Sequence, residues 1–256
     1  MLNLFDSHAH LDDEAFESDR EEVIEKCLCE IKGVVNPGSD MASSLKAIGL
    51  AERYGGIYAA VGFHPHEAKL MQDKDIDTFA KLATNKKVVA IGEIGLDYYY
   101  DHSPRDIQKD VFIRQLDLAR QLHLPVIIHN RDSHADILEI LKKESKGIRG
   151  IFHAYSGSWE MAKILLKMDW LIAFGGSLTF KNAVKTVEVA QKIPEDMMLL
   201  ETDSPYLTPV PFRGKRNDPS MVKLVCEKVA QLKNLPVEYV ANVTTNNLRT
   251  LFAKIE

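Results

Sequence analysis

The chain has 256 residues, 45% hydrophobic and 27% charged, proportions of an ordinary folded protein that exclude disordered, collagenous and fibrous classes. Its 32 Lys and Arg against 37 Asp and Glu leave a formal charge of −5, which argues against a broad basic face gripping many duplex phosphates. Three cysteines make no disulfide framework, and neither a leader-like start nor an apolar run near ~18 residues is present, so a cytoplasmic chain off the membrane is expected.

Eight short apolar runs follow along the chain, starting 20 to 37 residues apart: 4–7, 33–37, 57–63, 88–93, 125–129, 150–153, 170–175 and 198–203. They are β-branched or Leu-rich without alternation, as parallel strands buried on both faces require. Between them lie amphipathic stretches. Cys27 and Cys29 in the first of these are two apart and face differently, which speaks against a Cys-x-Cys zinc pair. The clearest stretch is 106–122, with Pro104 and Asp106 at its start and Pro125 ending the link to the next strand. After the last run, 219–233 is expected to complete the final βα unit, and 236–240 and 245–254 to form two terminal helices. Eight such alternations with no break in composition predict one domain, 1–256, of the α/β class: a (β/α)8 TIM barrel with extra C-terminal helices. A doubly wound open sheet is the competing architecture.

The chemistry stands at the ends of the expected strands. The first run closes on His8 and His10, two apart and so on one face. The fourth ends in Glu93, the fifth in His129, the sixth in His153, and the eighth in Glu201 and Asp203, again two apart. In a parallel barrel all strand C-termini open on one mouth, so imidazoles and carboxylates from five strands are expected to converge there. Singly, a buried His or a strand-end carboxylate is an ordinary hydrogen-bonded group, and His66, His102, His123 and His134 are read that way. The strand-end set is different because its members occur together. A mixture of imidazole and carboxylate without thiolate suits Zn, Mn, Fe, Ni or Co, with Mg possible. Four His with the carboxylates of Glu93 and Asp203 exceed the needs of one tetrahedral ion, so two divalent cations are expected, with Glu93 as the candidate bridge.

Six segments, DSHAHLD (6–12), GFHPH (62–66), GEIGLDYY (92–99), HNRD (129–132), HAYSG (153–157) and LETDSPYL (200–207), with PFRGKRNDP (211–219) after them, closely resemble the TatD family of metal-dependent deoxyribonucleases among the amidohydrolase-like barrels. The resemblance covers essentially the whole chain. It implies a one- or two-metal site with His8, His10, Glu93, His129, His153 and Asp203 as ligands, and hydrolysis of phosphodiesters, typically 3′-to-5′ trimming of DNA ends, with RNA ends or other esters in some members. Water activated by the ions is the expected nucleophile, with Asp203 taking or steering its proton, Glu93 and Glu201 in supporting roles, and His64 either donating to a phosphate or leaving oxygen or packing the loop beside Pro65. Arg131 is read as a phosphate clamp, and Arg213, Lys215 and Arg216 either as further clamps or as a solvated loop. Tyr98, Tyr99, Tyr100 and Tyr155 are read either as base-stacking rings or as loop packing. The expected partner is a DNA end or single strand, with no obligate protein partner. Hydrolysis of a small cyclic amide, lactone or phosphoester by the same centre is the alternative, and a catalytically dead barrel serving as a scaffold is a third.

Overall fold

Each expected run carries a strand in the computed structural model of the chain, which describes residues 2–255; Met1 and Glu256, the end positions of the expected single domain, lie outside the described residues. In chain order the strands and α-helices are β1 (Phe5–Asp6), α1 (Arg20–Glu30), β2 (Gly33–Pro37), α2 (Met41–Arg53), β3 (Ile57–Val61), α3 (Asp73–Leu82), β4 (Val88–Asp97), α4 (Arg105–Leu122), β5 (Val126–Arg131), α5 (His134–Glu144), β6 (Gly150–Phe152), α6 (Trp159–Lys167), β7 (Leu171–Phe174), α7 (Val184–Lys192), β8 (Met198–Leu200), α8 (Val222–Lys233) and α9 (Val237–Leu251). Strand order is chain order and the pairing is parallel, the element series of the (β/α)8 class. No helix among the described residues is long and apolar enough to cross a membrane.

The chain divides into two compact units, Met1–Asn36 with His153–Thr250, and Pro37–Phe152 with Leu251–Glu256. In the first, Phe5 of β1 stands opposite Gly33 of β2, Ile172 of β7 opposite Met198 of β8, and the stretch after β1 meets the stretch after β8 at the bridge between Ala9 and Ser204. Phe16, Ile24, Trp170 and Phe174 are fully buried there. In the second, β3, β4, β5 and β6 pair in succession, and Phe79, Ile91, Phe112 and Ile127 are fully buried. Strands buried on both faces explain the runs without alternation: every residue of β2, β3 and β4 is buried. Local signals set the helix ends. Asp40 caps α2 through the Ser43 backbone N–H at 2.7 Å, and His123 and Asn234 end α4 and α8 in the left-handed conformation.

Three differences from the expected boundaries bear on the site or the C-terminal helix. The two terminal helices are one continuous helix, α9, because Val240, Ala241, Thr244 and Leu248 form a single buried face across the expected gap. Thr244 fits that helix interior by donating its hydroxyl back to the Val240 carbonyl at 2.9 Å. The strand β4 runs past Glu93 to Asp97, and β8 stops at Leu200, before Glu201 and Asp203.

Candidate functional site

In the first unit, Asp6 builds the floor of the site. Its Oδ1 accepts from the backbone N–H groups of His8 (3.1 Å) and Thr202 (3.0 Å), and its Oδ2 from the Thr202 hydroxyl (2.5 Å). Burial nevertheless pushes the Asp6 carboxyl well above its ordinary value. Further bonds lace the two chain stretches: Ser7 N–H to Leu200 O, Asp203 N–H to His8 O, and His10 N–H to Ser204 O at 2.8 Å. The result brings His8 Nε2 to 3.1 Å from His10 Nε2, and both to Asp203 Oδ1, at 3.7 and 3.6 Å. His153 stacks on His8 with ring centroids 4.0 Å apart, and its Nδ1 lies 3.6 Å from Glu201 Oε1. That Glu201 oxygen accepts the Ala154 N–H at 2.6 Å, while Glu201 Oε2 is buried with no hydrogen-bond partner. Burial disfavours ionisation of Asp203, but the His10, His153 and His8 imidazoles outweigh it and hold the carboxyl below its ordinary value. Glu201 and Asp203 do not act from one strand face as expected: β8 has ended, and Asp203 takes a left-handed φ of 56°.

In the second unit the register of two strands does the placing. Gly95 of β4 stands opposite His129 of β5, and a Cβ on Gly95 (φ 145°) would meet the His129 carbonyl oxygen at 2.0 Å, so only glycine permits this approach. Glu93 and Asp97 flank that glycine on one strand face. Each takes one nitrogen of His129: Nδ1 lies 2.8 Å from Glu93 Oε1 and Nε2 lies 3.0 Å from Asp97 Oδ2. The same Asp97 oxygen is 3.0 Å from His66 Nε2, and Asp97 Oδ1 accepts from the backbone N–H groups of Tyr99 and Tyr100. Burial pushes the Asp97 carboxyl up, and the bonds to His129, His66 and Tyr100 reverse this and hold it far below the usual carboxylate range. His64 Nδ1 accepts the His66 N–H at 3.2 Å, so a neutral His64 ring carries its proton on Nε2, which points at Glu93 Oε1 3.5 Å away. Nε2 is therefore a donor.

His8, His10, His153, Glu201 and Asp203 are thus assembled in the first unit, and His64, Glu93 and His129 in the second. Asp97 and His66 belong beside His129 and were not among the expected site residues. The period-2 rule applied from Glu93 finds Asp97; nothing in the sequence singles out His66. Of the two readings of Tyr155 its environment fits loop packing: it is 3% exposed and its hydroxyl donates to Ser158 O at 2.8 Å, which leaves no open face for a base. Arg216 is tied to Asp19 at 2.5 Å, so it is not a free clamp. Arg213 lies over the Phe180 ring at 4.1 Å and Lys215 over Phe212 at 5.7 Å, both on the exposed loop and neither ion-paired to Asp203 or Glu201. Arg131 lies over Tyr99.

The donors present fit divalent ions. A tetrahedral ion with bonds near 2.0–2.1 Å sets its nitrogen and oxygen ligands about 3.3 Å apart, and cis ligands of an octahedral ion about 2.9 Å apart. The 3.1, 3.7 and 3.6 Å edges of the His8–His10–Asp203 triangle match the first figure, and the 2.8 Å edge between His129 and Glu93 the second. Asp97 on the far nitrogen of His129 is the carboxylate that orients a ligating imidazole. The unpartnered Glu201 Oε2 is an acceptor without a donor in the buried group it forms with His8 and His153.

The family model of TatD related DNases matches residues 5–253, across both units. The chain is 49% identical over 251 residues to the uncharacterized metal-dependent hydrolase YabD of Bacillus subtilis (strain 168), covering 97% of this chain and 98% of that one. It is 38% identical over 254 residues to the uncharacterized metal-dependent hydrolase YcfH of Escherichia coli (strain K12), covering 97% and 95%. The crystal structure of YjjV, a TatD homolog from Escherichia coli K12, superposes with a TM-score of 0.91 at 31% identity, covering 98% of each chain. This likeness agrees with the (β/α)8 barrel expected from the sequence and excludes the doubly wound alternative.

Proposed function

The chain belongs to the TatD related DNase family and is a metal-dependent hydrolase of it; we propose that the bond it breaks is a phosphodiester, at the 3′ end of DNA, with RNA ends as the nearest other substrate. The observation that carries this reading is the pair of acid–imidazole clusters, Asp203 among His8 and His10, and Glu93 between His64 and His129. We assign one divalent cation to His8, His10 and Asp203 with His153 at hand, and a second to Glu93 and His129. Mg, Mn, Zn, Co and Ni all accept such mixed nitrogen and oxygen sets. When bound, divalent ions lower the pKa of water toward ~7 and stabilise charge on phosphoryl oxygens.

The chain's own groups do the rest. Asp203 stays ionised and accepts a hydrogen bond from the attacking water, which aims its lone pair at phosphorus. Glu201 holds the turn after β6 through Ala154 N–H and orients His153. Asp97 accepts a hydrogen bond from the Nε2–H of His129, so that Nδ1, on the Glu93 side, is the nitrogen that would hold an ion. His64 Nε2–H donates to a phosphoryl or leaving oxygen. The formal charge of −5 favours a short footprint at a strand end over a long grip on duplex. Three free cysteines, two of them buried, favour the reducing cytoplasm as the place of work.

The test is a 5′-labelled single-stranded oligonucleotide incubated with the protein and each divalent metal in turn. Stepwise shortening from the 3′ end, abolished by EDTA, is the expected result. Turnover of cyclic amides or lactones with no shortening of the oligonucleotide would overturn the reading in favour of a small-molecule hydrolase.

A further inference from the structure

Beyond the two clusters, the turn after β4 carries a group of rings that the hydrolytic chemistry leaves unused. Tyr99 is 59% exposed and Tyr100 50%, with ring centroids 4.9 Å apart at 90°. The Arg131 guanidinium stands 4.0 Å from the Tyr99 centroid and 4.8 Å from that of Tyr100, and it makes no ion pair with any carboxylate among the described residues. Tyr100 also stacks on His102, centroids 5.4 Å apart and 16° between planes, and stands edge-on to His66 at 5.3 Å.

The group is built rather than incidental. Asp97, fully buried, holds the Tyr99–Tyr100 turn with one carboxylate oxygen and His66 and His129 with the other, so one side chain fixes both the rings and the imidazoles beside Glu93. Arg131 is the register partner of Asp97, which sets its side chain beside this turn. Half-exposed aromatic faces with an unpaired guanidinium among them match one ligand chemistry: a flat π-system carrying an adjacent anion. A duplex hides its base faces in the stack, so the fit is to an unpaired base. We propose that Tyr99, Tyr100 and Arg131 form a subsite for an unpaired nucleobase and its neighbouring phosphate, next to the Glu93–His129 cluster. This inference rests on the nuclease reading above and says what selects the substrate end: a frayed or single-stranded terminus, whose base seats on the tyrosines.

Stacking of this kind changes affinity by about 5- to 150-fold per base. The experiment is fluorescence anisotropy of a labelled single-stranded oligonucleotide with the full-length protein in EDTA, so that binding is read without turnover. It is run with a natural 3′ end, with the same strand carrying abasic sugars in its last two positions, and as a blunt duplex. Wild-type protein should bind the natural end at least 5-fold tighter than the abasic or blunt one. Tyr99→Ala and Tyr100→Ala together should erase that preference, Tyr99→Trp should keep it, and Arg131→Gln should weaken the natural and abasic strands alike. Equal binding of natural and abasic ends, or a preference that survives loss of both tyrosines, overturns the subsite. If shortening of oligonucleotides with metal then persists, the nuclease reading stands without it. If base-dependent binding is found but no metal supports hydrolysis, the subsite stands and the nuclease reading falls.

Discussion

The two clusters share a composition and differ in how the chain holds them. In the first unit, His8, His10, Glu201 and Asp203 lie beyond the last residues of β1 and β8, on irregular backbone laced together through Asp6 and Thr202. In the second, Glu93 and Asp97 lie inside β4 and His129 inside β5, placed by strand register and a glycine. The bonding differs in the same sense. Both nitrogens of His129 already face carboxylate oxygens, whereas Glu201 keeps a buried oxygen with no hydrogen-bond partner. In one cluster the imidazole is satisfied on both nitrogens; in the other an acceptor is left to which its neighbours supply no donor.

The largest effect tests whether both clusters serve one reaction. Asp203→Asn and Glu93→Ala, one from each, should each lower oligonucleotide turnover by about 10³-fold or more while circular dichroism stays that of the folded protein. A variant that keeps near-normal turnover removes its cluster from the chemistry and breaks the comparison at once. Next in size is Asp97→Asn. It removes a charged acceptor from His129 and His66 without touching the first unit, and should weaken one class of metal site by about 10- to 100-fold in a calorimetric titration, leaving the other unchanged. Loss of both classes would mean that the two are not held independently.

How far the site was legible from sequence follows the same division. Polar residues closing apolar runs pointed to His8, His10, Glu93, His129, His153 and Asp203, because a strand end is visible as the point where hydrophobic residues stop. Asp97 escaped because Ile94 and Leu96 continue the strand beyond Glu93, so the carboxylate is internal to an element taken to have ended. His66 escaped because its place depends on the 3-10 turn after β3, whose course no periodicity reveals. For Tyr155 the sequence leaves stacking and loop packing open, and Gly157 decides between them: a Cβ there would sit 2.5 Å from the Tyr155 hydroxyl, so the glycine leaves room for the ring to fold back. The C-terminal helix was cut in two because Asn242, Val243 and Thr244 are weak helix formers, and burial of Val240, Ala241 and Leu248 overrides propensity.

Metal stability sharpens the comparison further. A divalent ion at 100 times its Kd adds about 2.7 kcal/mol to the folded state, or about 5–10 °C in the thermal midpoint of a chain this size. In the Asp97→Asn background most of that gain should persist, because the His8–His10–Asp203 group of the first unit makes no use of Asp97. Differential scanning fluorimetry against metal concentration measures it; disappearance of the shift in this variant would place the tighter ion on Glu93 and His129.

The smallest effect is on acid stability, and it isolates the second cluster. The carboxyl of Asp97 is held far below its unfolded value near ~3.9 by bonds from His129, His66 and the Tyr100 backbone, in spite of its burial. A carboxylate depressed on folding contributes stability that is fully present above its unfolded pKa and is lost as pH falls through the interval down to the folded one. The difference in urea midpoint between wild type and Asp97→Asn, measured on metal-free protein, should therefore be larger at pH 5 than at pH 2 and shrink steadily below about pH 4. Asp203 is depressed as well, but it is present in both proteins and cancels in the difference. A gap that stays constant down to pH 2 would mean that Asp97 contributes as a hydrogen-bonding shape, which Asn reproduces poorly, and not as a charge between two imidazoles.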